Sequence, residues 1–452
     1  MRYNIWTILL TIILELSPLM KIRAESPNPD ARMKTDILLV VPHPDDETAI
    51  GCYLAKAIFD DHKRVAAVYT NHGSGGGNSY GWQQAAAMGL IRETEVRGAL
   101  AEFGITNVWF LDGRDTPGQD VFHSLRNVKH GSSLEQIIRI IRLTQPEVII
   151  TWLPGYVAGE NHGDHQATGV IVTEAFDLAG DPTVFPAQVA IPREHYDIGN
   201  NNEGLLPWQT KKLYYFSDRE EPFPAPGPAF DIRTVSPSQK QPYYRLAARL
   251  HKHHLTQGDV AEVAIQAEKS GDWQPFIQWL NRYHLIFGKS LIPCQPTDPV
   301  FEGISIEAID YKAPSVYPKE ERKGIKIKMG GAFEFYRRFY RSHEIDHLSE
   351  RIPPEVMVAY GSYVHFPLII VNNTSRLQNV LLEPEYPDGW SEVAGGGDFA
   401  LEPGEMIPVQ AFAFAPESGS KDQIIHWILK SKQTQIGRVT INVKLTDWAL
   451  PQ

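Results

Sequence analysis

The residues best suited to chemistry in this chain are one histidine and two carboxylates within four positions, His43, Asp45 and Asp46. A histidine and a carboxylate three residues apart can bind a metal ion, and the carboxylate between them then stays free to act as a base. Zinc accepts such mixed nitrogen and oxygen ligands, and a catalytic zinc site keeps one position open for water. The alternative is structural: an aspartate caps the following helix and His43 is a loop residue.

A second cluster lies about 120 residues further along the chain and contains His162, Asp164 and His165. Two histidines three residues apart with an aspartate between them are a plausible half of a metal site. The alternative is a surface loop whose histidines make ordinary hydrogen bonds. Both clusters follow predicted buried strands, so they can face one crevice at the edge of a sheet, where open α/β sheets bind their ligands. A shared metal site is the simplest interpretation.

The elements that must position these clusters are predicted from apolar runs that end in turn residues. Strands are predicted at 37–41, 65–69, 108–111, 147–152 and 212–216, and helices at 47–59, 85–103, 134–143, 167–178, 243–254, 260–267 and 273–287. This alternation predicts an α/β domain with a mostly parallel sheet and flanking helices. A glycine-rich loop at 73–78 lacks the lysine of a P-loop and is either a surface loop or a mobile wall of the site.

The hydrophobic period changes from Val356 onward. Strands are predicted at 364–371, 380–383, 406–415 and 438–445, separated by turn signals, and such short strands favour a β-sandwich. The predicted division of the chain is a signal peptide at 1–24, the α/β domain at 35–292, a connecting segment at 293–345 and the β-sandwich at 346–452.

Composition narrows the class of protein. The chain has 452 residues, 42% hydrophobic and 21% charged, which is typical of a globular protein of two or three domains. Its net charge of -11 and the lack of a long basic run argue against nucleic acid as a partner. With only Cys52 and Cys294, no disulfide framework is predicted, and whether the two form a bridge stays open.

The N-terminus predicts export. Arg2 precedes an apolar run at residues 5–14, and Ala24 can end a cleavage site, which together are typical of a secretory signal peptide. Glu15 and Pro18 interrupt the apolar run, so a permanent membrane span is not expected. We therefore expect a secreted or periplasmic protein, with an uncleaved membrane anchor as the alternative.

Three motifs together resemble a known family, the PIG-L/LmbE-like zinc-dependent N-acetylsugar deacetylases. The matching residues are Pro42-His43-Pro44-Asp45-Asp46-Glu47, Arg92-Glu93-Thr94-Glu95 and His162-Gly163-Asp164-His165. The similarity runs from about residue 36 to residue 288. The resemblance implies a Rossmann-like fold, although the first strand lacks a dinucleotide-binding glycine fingerprint after it.

The resemblance also implies a role for each matching residue. Zinc would be bound by His43, Asp46 and His165, and Asp45 would be the general base. Fe²⁺ or Co²⁺ could occupy similar ligands. His162 would stabilise the oxyanion, and Asp164 would orient that histidine. Arg92 and Asp115 would bind sugar hydroxyls, and Asp112 is a competing candidate for the role of Asp115.

The C-terminal segment is weakly similar to the NEW3-like, immunoglobulin-type β domains of secreted carbohydrate enzymes. The residues that carry this resemblance are Ile370-Val371-Asn372-Asn373, Tyr386-Pro387-Asp388-Gly389-Trp390 and Leu401-Glu402-Pro403-Gly404-Glu405. The resemblance implies either a spacer packed on the catalytic domain or a glycan-binding domain. In the second case Trp390 stacks on a sugar; otherwise it is a core or edge residue.

We expect a secreted zinc hydrolase that removes the acetyl group from an N-acetylated sugar or glycoconjugate. One alternative is an amidase that uses the same mechanism on another N-acyl substrate. The other is a non-catalytic glycan-binding protein with a vestigial metal site, which would have no need of the carboxylate of Asp45 beside the metal ligands. The sequence leaves the particular sugar and the oligomeric state open.

Overall fold

The structure is a computed structural model, and it describes residues 31–156, 162–192, 201–217, 222–305, 307–314, 323–349 and 354–447. The predicted signal peptide at 1–24 lies outside these residues. In the part of the chain that is described, no helix is long and apolar enough to cross a membrane.

The first sheet has six strands in the order β3-β2-β1-β4-β5-β6. Its strands are β1 (Ile37–Val41), β2 (Val65–Tyr69), β3 (Val108–Phe110), β4 (Val148–Trp152), β5 (Lys212–Phe216) and β6 (Ile286–Ser290). Strands β1 to β5 are parallel, and only β6 is antiparallel to its neighbour. The mostly parallel α/β sheet predicted from sequence is confirmed. The order reverses between β1 and β4, and a crevice opens at such a switch point.

Strand β1 is buried on both faces. Leu38 and Val40 pack into one apolar cluster, while Leu39 and Val41 pack into the other cluster on the opposite face. Successive side chains of a strand point to opposite faces, so a strand covered on both sides reads as a continuous apolar run. That burial fixes β1 in the middle of the sheet and places the residues after Val41 at its carboxyl edge.

Helices cover both faces of this sheet. A 3₁₀ turn at Asp46–Ile50 continues into α1 (Gly51–Ala55) and a π turn at Lys56–Asp60, where one helix was predicted. The other helices are α2 (Ala85–Ala101), α3 (Val121–Asn127), α4 (His130–Thr144), α5 (Gly163–Leu178), α6 (Pro186–Val189), α7 (Tyr243–His251), α8 (Asp259–Ser270) and α9 (Gln274–Asn281).

The helix predicted at 273–287 is wrong at its C-terminal end. Helix α9 ends at Asn281, and the following apolar residues form β6 against β5. A short apolar run cannot distinguish helix from strand by its period alone. The tertiary contact decides, because Gly288 packs so closely on Tyr215 that a Cβ there would lie 2.5 Å from its ring.

The C-terminal residues form two further sheets that share one apolar core, which confirms the predicted β-sandwich. The five-stranded sheet has the order β12-β10-β14-β15-β8 and the four-stranded sheet the order β11-β13-β9-β7. The strands are β7 (Ile325–Met329), β8 (Glu355–Ala359), β9 (Tyr363–Asn372), β10 (Gln378–Glu385), β11 (Ser391–Ala394), β12 (Gly397–Leu401), β13 (Met406–Phe414), β14 (Asp422–Ser431) and β15 (Thr434–Thr446). Strand β7 comes from the segment predicted as connecting chain.

Helices α10 (Gly331–Ser342) and α11 (Asp346–Ser349) join the sandwich to the first domain. Tyr336 on α10 donates a hydrogen bond to Gln166 on α5 at 2.7 Å, and His343 lies 2.8 Å from the carboxylate of Asp177 on the same helix. Helix α5 also carries His165. The sandwich is therefore hydrogen-bonded to the helix that carries part of the candidate site.

Trp390 is engaged within the sandwich. Its indole N–H donates to Gln423 at 2.5 Å, and its ring stacks on Tyr386 with centroids 6.1 Å apart. A tryptophan that is half-buried and bonded in this way has little free face for a sugar. The structure therefore favours the packing role for Trp390.

Candidate metal centre

The turn after β1 is tightly constrained. The carboxylate of Asp46 accepts a hydrogen bond from the backbone N–H of His43 at 2.7 Å, which closes the turn. Between them, Asp45 has φ 142° and ψ -21°, a backbone conformation that residues other than glycine rarely adopt. Such backbone strain is retained mainly at functional sites. The turn directs the side chains of His43 and Asp46 to one point.

His165 completes a group of three ligands at that point. Nδ1 of His43 lies 3.3 Å from Nε2 of His165 and 3.6 Å from Oδ2 of Asp46, and His165 Nε2 lies 3.2 Å from Asp46 Oδ1. Nitrogen and oxygen ligands about 2.1 Å from a tetrahedral zinc ion are separated by roughly 3.4 Å. The two ring nitrogens and the two oxygens of Asp46 are therefore close to the spacing of ligands around a tetrahedral ion, and the group could hold a metal.

The surroundings of His43 fit this interpretation. Its other ring nitrogen, Nε2, lies 3.5 Å from Asp115 and 3.6 Å from Asp164. Burial lowers the pKa of His43, but these carboxylates and Asp46 outweigh burial and raise the pKa well above its usual value. Histidine ligands commonly present their second nitrogen to a carboxylate, which fixes the ring. This favours the group of His43, Asp46 and His165 over the alternative group of His43, His162 and Asp164.

Trp152 at the end of β4 supports His165. The two rings are parallel, with an interplanar angle of 6° and centroids 4.0 Å apart. His165 is 6% exposed, so the apolar face of Trp152 both orients the imidazole and excludes water behind it. Sequence reasoning missed Trp152, although its place at the end of the strand just before the second cluster was a usable signal.

Asp45 lies beside the three ligands without joining them. It is half-buried and lines the same cavity. Burial, followed by the charge of Asp46, raises the pKa of Asp45 to about 7. A general base works best when its pKa is near the working pH. The position is therefore the one expected of a base, and the catalytic role of Asp45 stays a prediction.

The sequence predicted a loop at His162 and Asp164, but the structure places both residues at the start of α5. The helix begins at Gly163, and Asp164 lies in its first turn. Nδ1 of His162 accepts a hydrogen bond from the backbone N–H of Asp164 at 3.2 Å. A neutral imidazole that accepts at Nδ1 carries its proton on Nε2. Burial, and then the charges of His43 and His165, lower the pKa of His162 to about 3, which keeps that ring neutral.

The carboxylate of Asp164 bonds elsewhere. Its Oδ2 accepts from the backbone N–H of Thr116 at 2.9 Å and from Asn71 at 3.3 Å, and it faces His43. In this arrangement the side chain of Asp164 orients His43, and its backbone N–H orients His162. The predicted orientation of His162 by Asp164 stays a prediction, and the contact with His43 is an addition that spacing alone did not indicate.

The glycine-rich loop forms a wall of the site. Arg92 is 3% exposed and donates to the carbonyl oxygens of Gly73 at 2.7 Å and Gly77 at 2.8 Å. Asp115 accepts from the backbone N–H of Gly75 at 2.6 Å. Both residues predicted to bind sugar therefore also hold this loop in place. Their contact with a sugar stays a prediction.

Asp112 and Asp115 are distinguished by their positions. Asp115 is buried and lines the cavity, whereas Asp112 is exposed and is not among the lining residues. The cavity has a volume of about 470 Å³. Its lining includes His43, Asp45, Asp46, Gly75, Gly76, Gly77, Arg92, Asp115, Trp152, His162, His165, Gln257, Trp279, Arg282 and Tyr283.

A turn at residues 254–257 joins two motifs that are distant in sequence. His254 is fully buried and lies 2.6 Å from Glu47, which also accepts from Tyr69 and from the backbone N–H of Asp45. Gln257 accepts from Arg92 at 2.5 Å, and Thr256 donates to Glu95. This turn therefore supports both the strained Asp45 and the arginine that holds the loop. Sequence reasoning gave it no role.

The fold and geometry define an α/β domain with a buried two-histidine, one-carboxylate site at a sheet switch point. Residues 38–176 match the model of the family described as PIG-L, GlcNAc-PI de-N-acetylase. This part of the chain is thus a PIG-L domain, as the motifs indicated. The match is shorter than the similarity at 36–288 expected from the motifs.

The chain is also similar to curated proteins. It is 28% identical over 194 residues to 1D-myo-inositol 2-acetamido-2-deoxy-alpha-D-glucopyranoside deacetylase 1 of Frankia casuarinae, covering 39% of this chain and 57% of that protein. It is 29% identical over 150 residues to a probable N-acetyl-alpha-D-glucosaminyl L-malate deacetylase 2 of Bacillus anthracis, covering 31% of this chain and 58% of that protein. The chain thus matches less than two thirds of the length of these relatives.

Among solved structures, the chain is similar to N,N'-diacetylchitobiose deacetylase from Pyrococcus horikoshii. The identity is 17% and the TM-score 0.39, and the match covers 61% of this chain and 86% of that one.

Proposed function

We propose that this protein is a metal-dependent hydrolase that removes the acetyl group from an N-acetylated sugar or glycoconjugate. The observation that carries the proposal is the tetrahedral spacing of His43, Asp46 and His165 beside an uncommitted carboxylate, Asp45. The PIG-L match supports it, and so do the deacetylase names of the relatives. Zinc suits two imidazoles and one carboxylate, with Fe²⁺ or Co²⁺ as alternatives.

A metal ion held by these ligands supplies Lewis acidity, which polarises an amide carbonyl and makes water more acidic. Asp45 accepts a proton from the attacking water at its carboxylate. The neutral His162 directs its Nε2–H toward the negative charge that develops on the carbonyl oxygen, and one such donor contributes about 3–4 kcal/mol. The C–N bond then breaks, acetate leaves, and the amine takes the proton that Asp45 accepted from the water.

The substrate is held by the polar wall beside the ligands. Asp115 accepts from a sugar hydroxyl with a lone pair not used by Gly75, and Arg92 keeps the glycine loop over the sugar. Each relative is matched over less than two thirds of its length, so the particular sugar follows from neither name. An N-acetylated hexosamine is the class that fits the proposal.

The test is acetate release and metal content in the wild type and in Asp45→Asn. Asparagine keeps the shape of Asp45 but cannot accept the proton, so we expect kcat to fall by about 10² to 10⁴-fold while the metal stays bound. Asp112→Asn is the matched control, because Asp112 is exposed outside the cavity and should keep wild-type turnover. Full turnover by a folded, metal-loaded Asp45→Asn protein would disprove the role of Asp45.

The same experiment separates the alternatives. Release of a different acyl group, with no acetate from any N-acetylated sugar, would identify the amidase. No bound metal after reconstitution with zinc, iron or cobalt would favour the non-catalytic glycan-binding protein. Binding of residues 323–452, which include β7, to a glycan array, set against the intact chain, tests the glycan-binding role of the sandwich.

We also propose that the protein is exported. The apolar run at residues 5–14 supports a signal peptide, although it lies outside the described residues. N-terminal sequencing of protein recovered from outside the cytoplasm should begin near residue 25. Recovery with residue 1 intact in the membrane fraction would identify the uncleaved anchor instead.

A further inference from the structure

A second and larger cavity lies next to the candidate metal centre. Its volume is about 620 Å³, within the range of about 300–1,000 Å³ that is usual for small-molecule sites. Ala49, in the 3₁₀ turn after Asp46, and Tyr283, just after α9, line both cavities. The two cavities therefore adjoin at these two side chains, next to the metal centre.

The chemistry of the second cavity is the opposite of the first. Much of its lining is apolar or aromatic and includes Ile50, Tyr53, Phe230, Ile232, Leu280 and Val300. No residue of the metal-ligand group lines it. A space of this kind favours an alkyl or aryl group, because it offers contact area without a fixed set of hydrogen bonds.

The two lysines that line this cavity each contact a neighbouring side chain. Lys56 is paired with Asp61, and the ammonium group of Lys63 lies over the ring of Phe301, 4.2 Å from its centroid. A phosphate or carboxylate ligand would have to compete with these contacts. Asp61 and Glu302 also line the cavity and balance the two lysines in formal charge, so the mostly apolar lining favours an apolar group over an anion.

We infer that this cavity binds an apolar group carried by the sugar substrate, either an alkyl or aryl aglycone or a longer N-acyl chain. The inference rests on the proposed hydrolase function, which it extends to an amphiphilic substrate class. Burial of apolar surface is present in both the ground state and the transition state, so it lowers KM and leaves kcat nearly unchanged. Each methylene group buried improves binding by roughly fourfold.

The experiment compares three soluble substrates below their micelle concentrations. They are methyl N-acetylglucosaminide, octyl N-acetylglucosaminide, and methyl glucosaminide carrying an N-octanoyl group. A higher kcat/KM for the octyl glycoside, by about 30-fold or more and mainly through KM, assigns the cavity to the aglycone. A similar gain for the N-octanoyl compound assigns it to the acyl chain. Equal kcat/KM values for all three would overturn the inference.

Two variants test whether the apolar group of the substrate binds in this cavity. Ala229 and Thr297 are exposed residues at the border of the cavity, so Ala229→Trp and Thr297→Trp should fill it without disturbing the core. Each should reduce the octyl-to-methyl ratio of kcat/KM at least tenfold. Ala101→Trp, at an exposed position outside both cavities, is the matched control and should keep the ratio. An unchanged ratio in both cavity variants would contradict the inference.

Calorimetric titration with octyl glucoside, which has no amide, separates this inference from the proposed function. Binding that is weakened by both cavity variants but not by Ala101→Trp supports the apolar site even if no sugar amide is cleaved. Acetate release with no binding of octyl glucoside would support the hydrolase function and overturn the inference of an apolar site.

Discussion

The carboxyl edge of the first sheet and the core of the sandwich are both buried, but they bury different kinds of polar group. In the sandwich, the fully buried amide of Asn372 donates to three backbone carbonyl oxygens at 2.8–3.0 Å. At the sheet edge, the buried polar groups are ionisable and lie together, with Nε2 of His43 3.5 Å from Asp115 and 3.6 Å from Asp164.

The difference shows what each region is built to do. Burying ionisable groups side by side costs more than burying an amide whose hydrogen bonds are satisfied, so a region selected for stability alone would avoid it. Asn372 ties a turn to its neighbours and contributes to folding. His43 and Asp164 belong to a cluster of like and unlike charges, which proteins retain where function requires them. The comparison predicts that substitutions at the sheet edge affect activity and substitutions in the sandwich affect stability.

The largest effect should come from His165→Ala. Removing one of three ligands should release the metal and lower kcat/KM by on the order of a thousandfold, because a metal contributes several kcal/mol to transition-state stabilisation. Metal content and acetate release check this. His123→Ala, an exposed histidine of the same domain, should change neither. Full activity with full metal content in His165→Ala would show that the site is misassigned.

Substitutions in the core of the sandwich should lower the stability of the protein. Trp427 is fully buried on β14, so Trp427→Ala should lower the free energy of unfolding by about 3–5 kcal/mol through the cavity that it creates. Trp82→Ala is the control, because Trp82 is 97% exposed and its loss should leave the unfolding midpoint unchanged. Chemical denaturation followed by circular dichroism measures both. A loss of turnover without a loss of stability in Trp427→Ala would break the comparison.

Gly73→Ala should have a smaller effect, and it should lower both stability and activity. Gly73 has φ +66°, and a Cβ there would lie 2.8 Å from Nη1 of Arg92. We expect a stability loss of about 1–2 kcal/mol from the backbone conformation and a further, roughly tenfold fall in kcat/KM from the displaced arginine.

Gly104→Ala is the matched control for that substitution. Gly104 has a similar φ of +74°, but a Cβ there meets no atom within 4 Å. It should show the loss of stability alone. Equal kcat/KM in the two variants would mean that the contact between Arg92 and the glycine loop does not matter for activity.

The smallest effect should come from Tyr336→Phe, at the junction of the two regions. The change removes the donor to Gln166 at 2.7 Å and should cost about 1 kcal/mol. Because Gln166 is next to His165 on α5, kcat should fall by no more than severalfold. Differential scanning calorimetry and steady-state kinetics measure the two effects, and Phe335→Leu in the same helix gives a comparison that retains the hydroxyl. A larger loss of kcat than of stability would mean that the sandwich positions the site.

Much of the fold could be predicted because its signals are local. Strands β1, β2 and β4 are apolar on both faces, so the apolar run alone marks them. Strand β6 could not be separated from the end of α9, since a three-residue apolar run suits either structure. Strand β7 was placed in the connecting segment because it follows the proline-containing stretch at 293–323, and its pairing with β9 is seen only in the structure.

The sequence by itself determined which residue types form the site and at which edge of the sheet they lie. Histidine and aspartate directly after a buried parallel strand have to lie at its carboxyl edge, and two such strands bring their clusters together. The tertiary structure alone decided which atoms face one another. It turned Nδ1 of His43 toward His165, bonded Asp164 to Thr116, and set the turn at His254 beneath Asp45. These contacts join residues about 50 to 200 positions apart in the chain, and no local pattern encodes them because they depend on how strands and helices pack.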